Sequence, residues 1–232
     1  MSILETLGDL KSELVTVVIT SCGRHDCLKK TIESFNRFNT FPIKEFIIVE
    51  DSGNKGMRNF IKGSWPDYTL IFNEKNIGLV DSIDKAYEQV ATPYIFHCEN
   101  DWEFYNLGFI EKSLEILLAY PEIMQVWIRD LSDTNGHPIH PKKHKINDVE
   151  FKLVATNING WSGFTWNPGL RRLSDYLKVA PFGNIAPEYG KKAGYREMYI
   201  GQEYYKLGYR AVILPEGYCK HIGYVSKDYS LT

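Results

Sequence analysis

The chain has 232 residues, of which 44% are hydrophobic and 24% are charged, and its formal net charge is −2 at pH 7. A chain of this length and composition can bury a full core, as one large domain or as two merged ones. Its pI of about 6.3 lacks the basic surplus that nucleic-acid-binding proteins carry, so nucleic acid is excluded as an expected partner.

The cysteines and the apolar runs indicate the cellular location of the protein. The four cysteines are scattered, without a pairing pattern, at Cys22, Cys27, Cys98 and Cys219. Reduced thiols in a cytoplasmic protein are the simplest account of them. No signal peptide is recognisable, and no apolar run approaches the roughly 20 residues that a transmembrane helix needs. We therefore expect a cytoplasmic protein without a transmembrane segment.

The first residues have helical periodicity. Ile3, Leu7, Leu10 and Leu14 share one helical face, which predicts an amphipathic helix. Its polar face is acidic, which argues against binding to anionic lipid. We expect this helix to pack against the body or to join a second subunit in a homo-oligomer.

Strand-like and helix-like segments then alternate. Predicted strands cover residues 15–20, 46–49, 68–72 and 94–98. A helix is expected after Asp26, and another carries the stripe from Leu79 to Val90. This β-α-β alternation predicts an α/β fold with a largely parallel sheet covered on both faces.

The second half of the chain is less regular. The expected elements are a helix over 107–120 with Asn106 as its N-cap, a strand over 124–128, a helix over 195–207 and a strand over 211–214. Residues 130–148 are polar and read as a long loop. Three histidines in that loop could suggest zinc, but two prolines interrupt them, so a solvated loop is the better interpretation.

The most informative stretch lies at the end of the fourth predicted strand. There an apolar run ends in Glu99, Asn100 and Asp101, so two carboxylates emerge together at the carboxyl end of a strand. Open α/β sheets bind their ligands at that position. Hard divalent cations take carboxylate oxygens together with substrate phosphates. This stretch therefore predicts a site for a metal ion and a diphosphate.

Other strand ends add polar residues at the same edge. Thr20, Ser21 and Arg24 follow the first strand, and Glu50 and Asp51 end the second. Neither the G-x-G-x-x-G turn of dinucleotide folds nor a Walker A element is present. An elongated ligand held through a cation, such as a nucleoside diphosphate, fits this arrangement.

Four motifs stand in the order and spacing of a known family. They are Val17 to Arg24, Ile48 to Gly53, Asn76-Ile77-Gly78 and Glu99-Asn100-Asp101. In this the chain resembles glycosyltransferase family 2 and its relatives with the GT-A fold. The resemblance implies a Rossmann-like, mostly parallel sheet flanked by helices, with a smaller C-terminal acceptor-side region. It also implies a single domain over 1–232, in which 14–130 bind the nucleotide sugar and 131–232 bind the acceptor.

The resemblance assigns roles to individual residues. It implies nucleotide contacts by Thr20, Ser21, Arg24, Glu50, Asp51, Asn76, Gly78 and Asn100. It implies that Glu99, Asp101 and His221 hold Mn²⁺ or Mg²⁺. Glu203 is the candidate base that deprotonates the acceptor hydroxyl, and Trp161 and Trp166 are candidates for stacking on acceptor sugars. Some of these residues have a purely structural alternative. Glu203 could be an exposed helix acid, His221 a core histidine, and the two tryptophans ordinary core residues.

The expected activity is transfer of a sugar from a nucleoside diphosphate sugar, with UDP as the expected nucleotide, to a glycan, lipid-linked or protein acceptor. An inverting reaction is expected. The Q-x-x-R-W element of processive synthases is missing, so one sugar is transferred per encounter. Ile83, Asp84 and Lys85 stand where relatives commonly carry a nucleotide-binding arginine. Two other functions stay open, a sugar-phosphate nucleotidyltransferase and a catalytically inactive carbohydrate-binding relative.

Overall fold

A computed structural model describes residues 8–155, 160–186 and 193–223. In this part of the chain the strands are β1 (Val15–Ser21), β2 (Glu45–Glu50), β3 (Thr69–Phe72), β4 (Tyr94–Glu99), β5 (Trp102–Phe104), β6 (Ile123–Trp127), β7 (Ile139–Ile146), β8 (Val149–Val154), β9 (Gly169–Arg172), β10 (Arg210–Ile213) and β11 (Cys219–His221). The helices are α1 (His25–Phe38), α2 (Lys55–Ser64), α3 (Leu79–Tyr87), α4 (Phe109–Ala119), α5 (Leu173–Leu177), α6 (Phe182–Ile185) and α7 (Ala193–Lys206).

The main sheet of the described residues has nine strands in the order β3-β2-β1-β4-β9-β6-β10-β8-β7. Seven of them run in one direction, and only β8 and β9 run against it. The predicted α/β fold with a mostly parallel sheet is confirmed. Strands β5 and β11 form a separate two-stranded sheet.

Helices cover both faces of the central strands, and β1 shows why. All seven residues of β1 are buried. Val17 and Ile19 pack into a cluster with Leu28 of α1, whereas Val18 packs on the other face with Ile83 of α3. A strand buried on both faces needs a continuous apolar run rather than an alternating one. This is why the first strand was recognisable in the sequence.

The second half of the chain returns to the centre of the sheet. Strand β9 runs antiparallel between β4 and β6, with Leu170 opposite both Phe96 and Val126. Because β9 begins at Gly169, which is opposite His97 near the end of β4, the segment before β9 reaches the edge where the parallel strands end. That segment contributes to the candidate site described below.

The prediction of a loop over 130–148 is wrong for residues 139–146, which form β7. This strand is the last of the sheet and pairs only with β8 among the described elements. Most of its side chains are exposed, so it lacks the apolar alternation that reveals a half-buried strand. Edge strands of this kind commonly carry lysines, which block pairing with other chains.

The predicted N-cap of α4 is also wrong. The helix begins at Phe109 with Gly108 in the cap position at φ 85°. Asn106 instead accepts a hydrogen bond from the backbone N–H of Leu107 at 3.0 Å. Its side chain therefore stabilises the turn before the helix.

The predicted N-terminal helix lies partly outside the described residues, which begin with a 3₁₀ helix over Gly8–Glu13. Leu10 is 64% exposed, so this residue does not pack against the body. Within the described residues, none of the helices has the length and apolar character required to cross a bilayer.

Candidate active site

The parallel strands bring their carboxyl ends together at one edge of the sheet. Ser21 of β1 is opposite Glu50 of β2, and Thr20 of β1 is opposite Glu99 of β4. The Asn100 side chain donates a hydrogen bond to Ser21 Oγ at 3.2 Å, which joins the ends of β4 and β1 directly. The polar residues expected at this edge are therefore neighbours.

Asp101 is the centre of this group. One of its oxygens, Oδ2, accepts a hydrogen bond from Arg24 at 2.6 Å and lies 3.0 Å from His221 Nε2. The same Arg24 nitrogen donates to Asn100 Oδ1 at 2.7 Å. Burial by itself raises the pKa of Asp101, but the hydrogen bond from His221 and the charge of Arg24 outweigh it, so the pKa lies below its ordinary value of 3.8. Asp101 is therefore held as a carboxylate.

The small sheet explains how His221 reaches Asp101 across 120 residues of sequence. In the β5–β11 pair His221 is opposite Trp102, and the two rings are 5.2 Å apart, edge to face. The backbone N–H of Ile222 donates to the Asp101 carbonyl at 2.8 Å. The position of His221 is thus fixed by pairing of β5 with β11.

The donor set suits a divalent cation, although only two of the three predicted ligands meet. Asp101 Oδ1 is buried and has no hydrogen-bond partner among the described residues, which is costly unless a ligand engages it. A carboxylate with an imidazole nitrogen suits Mn²⁺ better than Mg²⁺. Glu99 Oε2 instead accepts a hydrogen bond from Trp102 Nε1 at 3.5 Å. No group of three or more His, Cys, Asp or Glu among the described residues is arranged to hold a metal.

The protonation of Glu99 reflects its surroundings. Burial, then the negative charges of Asp101 and Glu197, raise its pKa to about 7. These two carboxylates are therefore close enough to Glu99 to oppose its ionisation.

Glu50 and Asp51 both hold the surrounding loops. Glu50 Oε1 accepts from the backbone N–H groups of Gly23 and Ser52, at 2.9 and 3.0 Å. Asp51 accepts from Ile77 N–H and Gly78 N–H, each at 2.9 Å, and so fixes the Asn76-Ile77-Gly78 turn. Both acids hold turns that border the predicted nucleoside site, and their contact with the nucleotide stays a prediction.

The remaining predicted nucleotide contacts lie along the same wall. The exposed Asn76 side chain donates to Cys22 Sγ at 3.4 Å, and Gly78 has a φ of 94°, which favours glycine. Thr20 is 5% exposed. Cys22 is exposed beside these residues and was not predicted from the sequence.

Glu203 is not connected to this group by any contact among the described residues. Its side chain is 39% exposed and forms an ion pair with Lys206 at 2.6 Å, one turn along α7. The structure therefore gives Glu203 the environment of an exposed helix acid.

A different carboxylate of α7, Glu197, faces the site. Its Oε1 accepts hydrogen bonds from Thr165 Oγ1 at 2.8 Å and from Trp166 N–H at 2.6 Å. Burial raises the pKa of Glu197, against the lowering effects of the Trp166 and Thr165 hydrogen bonds and of the Arg171 and Arg129 charges. A carboxylate with a raised pKa is a candidate for proton transfer.

The sequence contains a signal for Glu197 that was missed. At 100° per residue, Glu197 is at the centre of the helix face that carries Ile200, Gly201 and Tyr204, all of which are buried. Glu203 lies about 120° away from that centre. An acid on the buried face of an amphipathic helix is unusual and points to a specific role.

The two predicted acceptor-binding tryptophans have different environments. Trp166 is 2% exposed and packs against His97, Phe164 and Phe182, so its ring has no free face for a sugar. Trp161 is only partly buried, and its ring is 4.6 Å from that of His137. Stacking on a sugar is therefore excluded for Trp166 by its burial in the core, whereas for Trp161 it stays a prediction.

Similarities to solved structures are found along most of the chain. Over 93% of its length it matches a mannosyltransferase from Pyrobaculum calidifontis in complex with GDP-Man and Mn²⁺, with 13% identity and a TM-score of 0.64. It matches TarS 1–349 of S. aureus over 89% of its length, with 16% identity and a TM-score of 0.59. It matches GalNAc-T7 with UDP, GalNAc and Mn²⁺ over 90%, with 11% identity and a TM-score of 0.65. At these identities the similarity shows a common fold.

The chain spans 58%, 59% and 43% of these three structures. A comparison with curated protein sequences gives no significant match. The sequence profile described as "Glycosyl transferase family 2" matches residues 16–200, which include all of β1 except Val15, the Glu99-Asn100-Asp101 motif and Glu197. With most of its length matched by this profile, the chain belongs to glycosyl transferase family 2.

Proposed function

We propose that this chain transfers a sugar from a nucleoside diphosphate sugar to a hydroxyl acceptor, with inversion and one sugar per encounter. The observation that carries the proposal is the meeting of Arg24, Asp101 and His221 at the carboxyl edge of the sheet. It combines two metal-ligand types with a cation suited to phosphate at the position where α/β sheets bind nucleotides.

Donor binding is assigned to the wall formed by the ends of β1, β2 and β4. Asp101 and His221 would hold Mn²⁺, which when bound stabilises negative charge on the departing diphosphate. Glu50 and Asp51 keep the surrounding turns in place, and Arg24, which contacts Asn100 and Asp101, would supply a positive charge for a phosphate. UDP is the proposed nucleotide. Two of the similar structures are complexes with GDP-Man and with UDP, each with Mn²⁺, which supports a nucleotide with a metal.

The proposed acceptor base is Glu197. Its Oε1 is anchored by two hydrogen bonds, while Oε2 has no hydrogen-bond partner among the described residues. A fixed carboxylate with one unengaged oxygen can remove the proton of an acceptor hydroxyl as that oxygen attacks the anomeric carbon. Glu203 is the competing prediction from the sequence, and its exposure and its pairing with Lys206 count against it.

The test begins with donor binding and turnover. Calorimetry with UDP or GDP is run with and without Mn²⁺, and a panel of nucleotide sugars is screened for transfer or slow hydrolysis. We expect tight nucleotide binding only with the metal. Nucleotide binding without turnover of any donor would favour an inactive relative, and no metal-dependent binding would contradict the proposal.

The two candidate bases are separated by a matched pair of variants. Glu197→Gln and Glu203→Gln both keep side-chain shape and remove basicity. We expect Glu197→Gln to lower kcat by about 10²- to 10⁴-fold with donor affinity retained, and Glu203→Gln to stay near the parent. The reverse result would restore the assignment of Glu203. A product that keeps the donor's anomeric configuration would contradict the inverting mechanism.

A further inference from the structure

The segment before β9 is clamped beneath Glu197. Gln125 of β6 pairs with both backbone groups of Thr165: its Nε2 donates to the Thr165 carbonyl at 3.0 Å, and its Oε1 accepts from Thr165 N–H at 3.2 Å. Arg171 of β9 also donates to that carbonyl, at 3.1 Å. Gln125, Thr165 and Arg171 are all buried. Thr165 is therefore fixed to two strands in the middle of the sheet.

The Thr165 hydroxyl has only one possible orientation for its proton. Its oxygen accepts a hydrogen bond from Asn167 N–H at 3.3 Å and is 2.8 Å from Glu197 Oε1. Since a hydroxyl has one proton, and the backbone N–H of Asn167 can only donate, the Thr165 proton points to Glu197. Oε1 therefore accepts from two donors that cannot reverse, the Thr165 hydroxyl and Trp166 N–H.

We propose that Thr165 is the positioning residue of the acceptor base, holding Glu197 so that the transferred proton is received on Oε2. This rests on the proposed function of Glu197. With Oε1 saturated by donors, protonation there would break a hydrogen bond, whereas protonation of Oε2 breaks none. The clamp thus fixes both the direction of the carboxylate and the atom that acts as base.

The charges around Glu197 are arranged on several elements. Arg171 on β9 and Arg129 after β6 favour the carboxylate form, and Glu99 at the end of β4 lies close enough for Glu197 to raise its pKa. None of these groups makes a direct hydrogen bond to the Glu197 carboxylate among the described contacts. Among the described residues, Thr165 and Trp166 are therefore the two that orient the carboxylate.

The test is the pair Thr165→Val and Thr165→Ser, with Thr92→Val as a matched control. Thr92 is another buried threonine, and it lies before the start of β4, at the opposite end of that strand from the candidate site. Its hydroxyl is hydrogen-bonded to the Tyr94 carbonyl and to the Thr16 hydroxyl of β1. We expect Thr165→Val to lower kcat about 10- to 100-fold with the KM for donor unchanged, because a misplaced base slows the chemical step. Thr165→Ser should restore most of kcat, and Thr92→Val should lose thermal stability but keep kcat.

The outcomes separate this role from a structural one. Thr165→Val with parental kcat, or a loss of kcat shared by Thr165→Ser or by Thr92→Val, would overturn the positioning role while leaving the proposed function intact. A parent that transfers no sugar from any donor would contradict both. Should Thr165→Val fail to fold, Thr165→Ala removes the same hydroxyl and is subject to the same comparison.

Discussion

Asp101 and His221 are joined by a 3.0 Å contact between Oδ2 and Nε2, although 120 residues of sequence separate them. The pair exists because β11 pairs with β5 directly after the Glu99-Asn100-Asp101 motif. It makes the C-terminal strand part of the predicted donor site.

The first prediction concerns this pair. Asp101→Asn should weaken Mn²⁺-dependent binding of UDP by at least about 10-fold, because an amide is a poorer metal ligand than a carboxylate and cannot balance Arg24. Calorimetry with and without Mn²⁺ measures the effect. Asp26→Asn is the matched control, since the Asp26 side chain is fully exposed. Unchanged metal-dependent binding in Asp101→Asn would remove Asp101 from the metal site.

The second prediction concerns Asp51. Asp51→Asn replaces one acceptor oxygen with an N–H₂ group that faces a backbone N–H of the 77–78 turn. We expect the free energy of unfolding to fall by about 1 to 3 kcal/mol, the usual cost of a buried polar group left unpaired. Nucleotide affinity should fall as well, because the turn forms part of the nucleoside wall. Urea denaturation gives the first quantity and calorimetry the second.

The exposed Asp67 provides the control for that substitution. Asp67→Asn should leave both stability and affinity near the parent. A stable Asp51→Asn with parental affinity would mean that Asp51 neither supports the turn nor contacts the nucleoside.

The third prediction is the pH dependence of turnover. Glu197 acts as a base only when deprotonated, and burial raises its pKa above the ordinary 4.5. Activity should therefore rise with pH through a midpoint above that value, and fall about tenfold per pH unit below it. The residual activity of Glu197→Gln should lack this fall at low pH. If the parent and Glu197→Gln lose activity over the same pH range, the titration belongs to another group.

The fourth prediction concerns Trp161. A Cβ at Gly201 would overlap Cδ1 of Trp161, so Gly201→Ala must displace the indole ring. We expect a loss of stability and, if Trp161 contacts the acceptor, a higher KM for acceptor with the KM for donor unchanged. Gly63→Ala in α2 is the control, because a Cβ there meets no atom of the described residues within 4 Å. It should stabilise the helix by about 0.5 to 1 kcal/mol. If Gly201→Ala keeps the stability of the parent, the tight contact between α7 and Trp161 is contradicted.

The strands of the proposed donor side were predictable because their signals are local. Runs rich in β-branched residues, such as Val15 to Thr20, are typical of buried parallel strands, and the polar residues that end them indicate the predicted site. The proposed acceptor side was not predictable, because its structure depends on long-range contacts. The exposed strand β7 has no apolar period, and the choice between Glu197 and Glu203 depends on Thr165, which is brought beneath α7 only by the pairing of Gln125 and Arg171 with its backbone.

The insertion of β9 between β4 and β6 also constrains how the chain acquires its structure. The buried strands β4 and β6 both pair with β9, which is synthesised more than forty residues after β6. Until residues 169–172 emerge from the ribosome, the edges of β4 and β6 are unpaired and apolar, and such edges promote aggregation. We therefore expect the centre of the sheet to close late, only after residues 169–172 have been synthesised. A fragment that ends near residue 130 should be insoluble on its own.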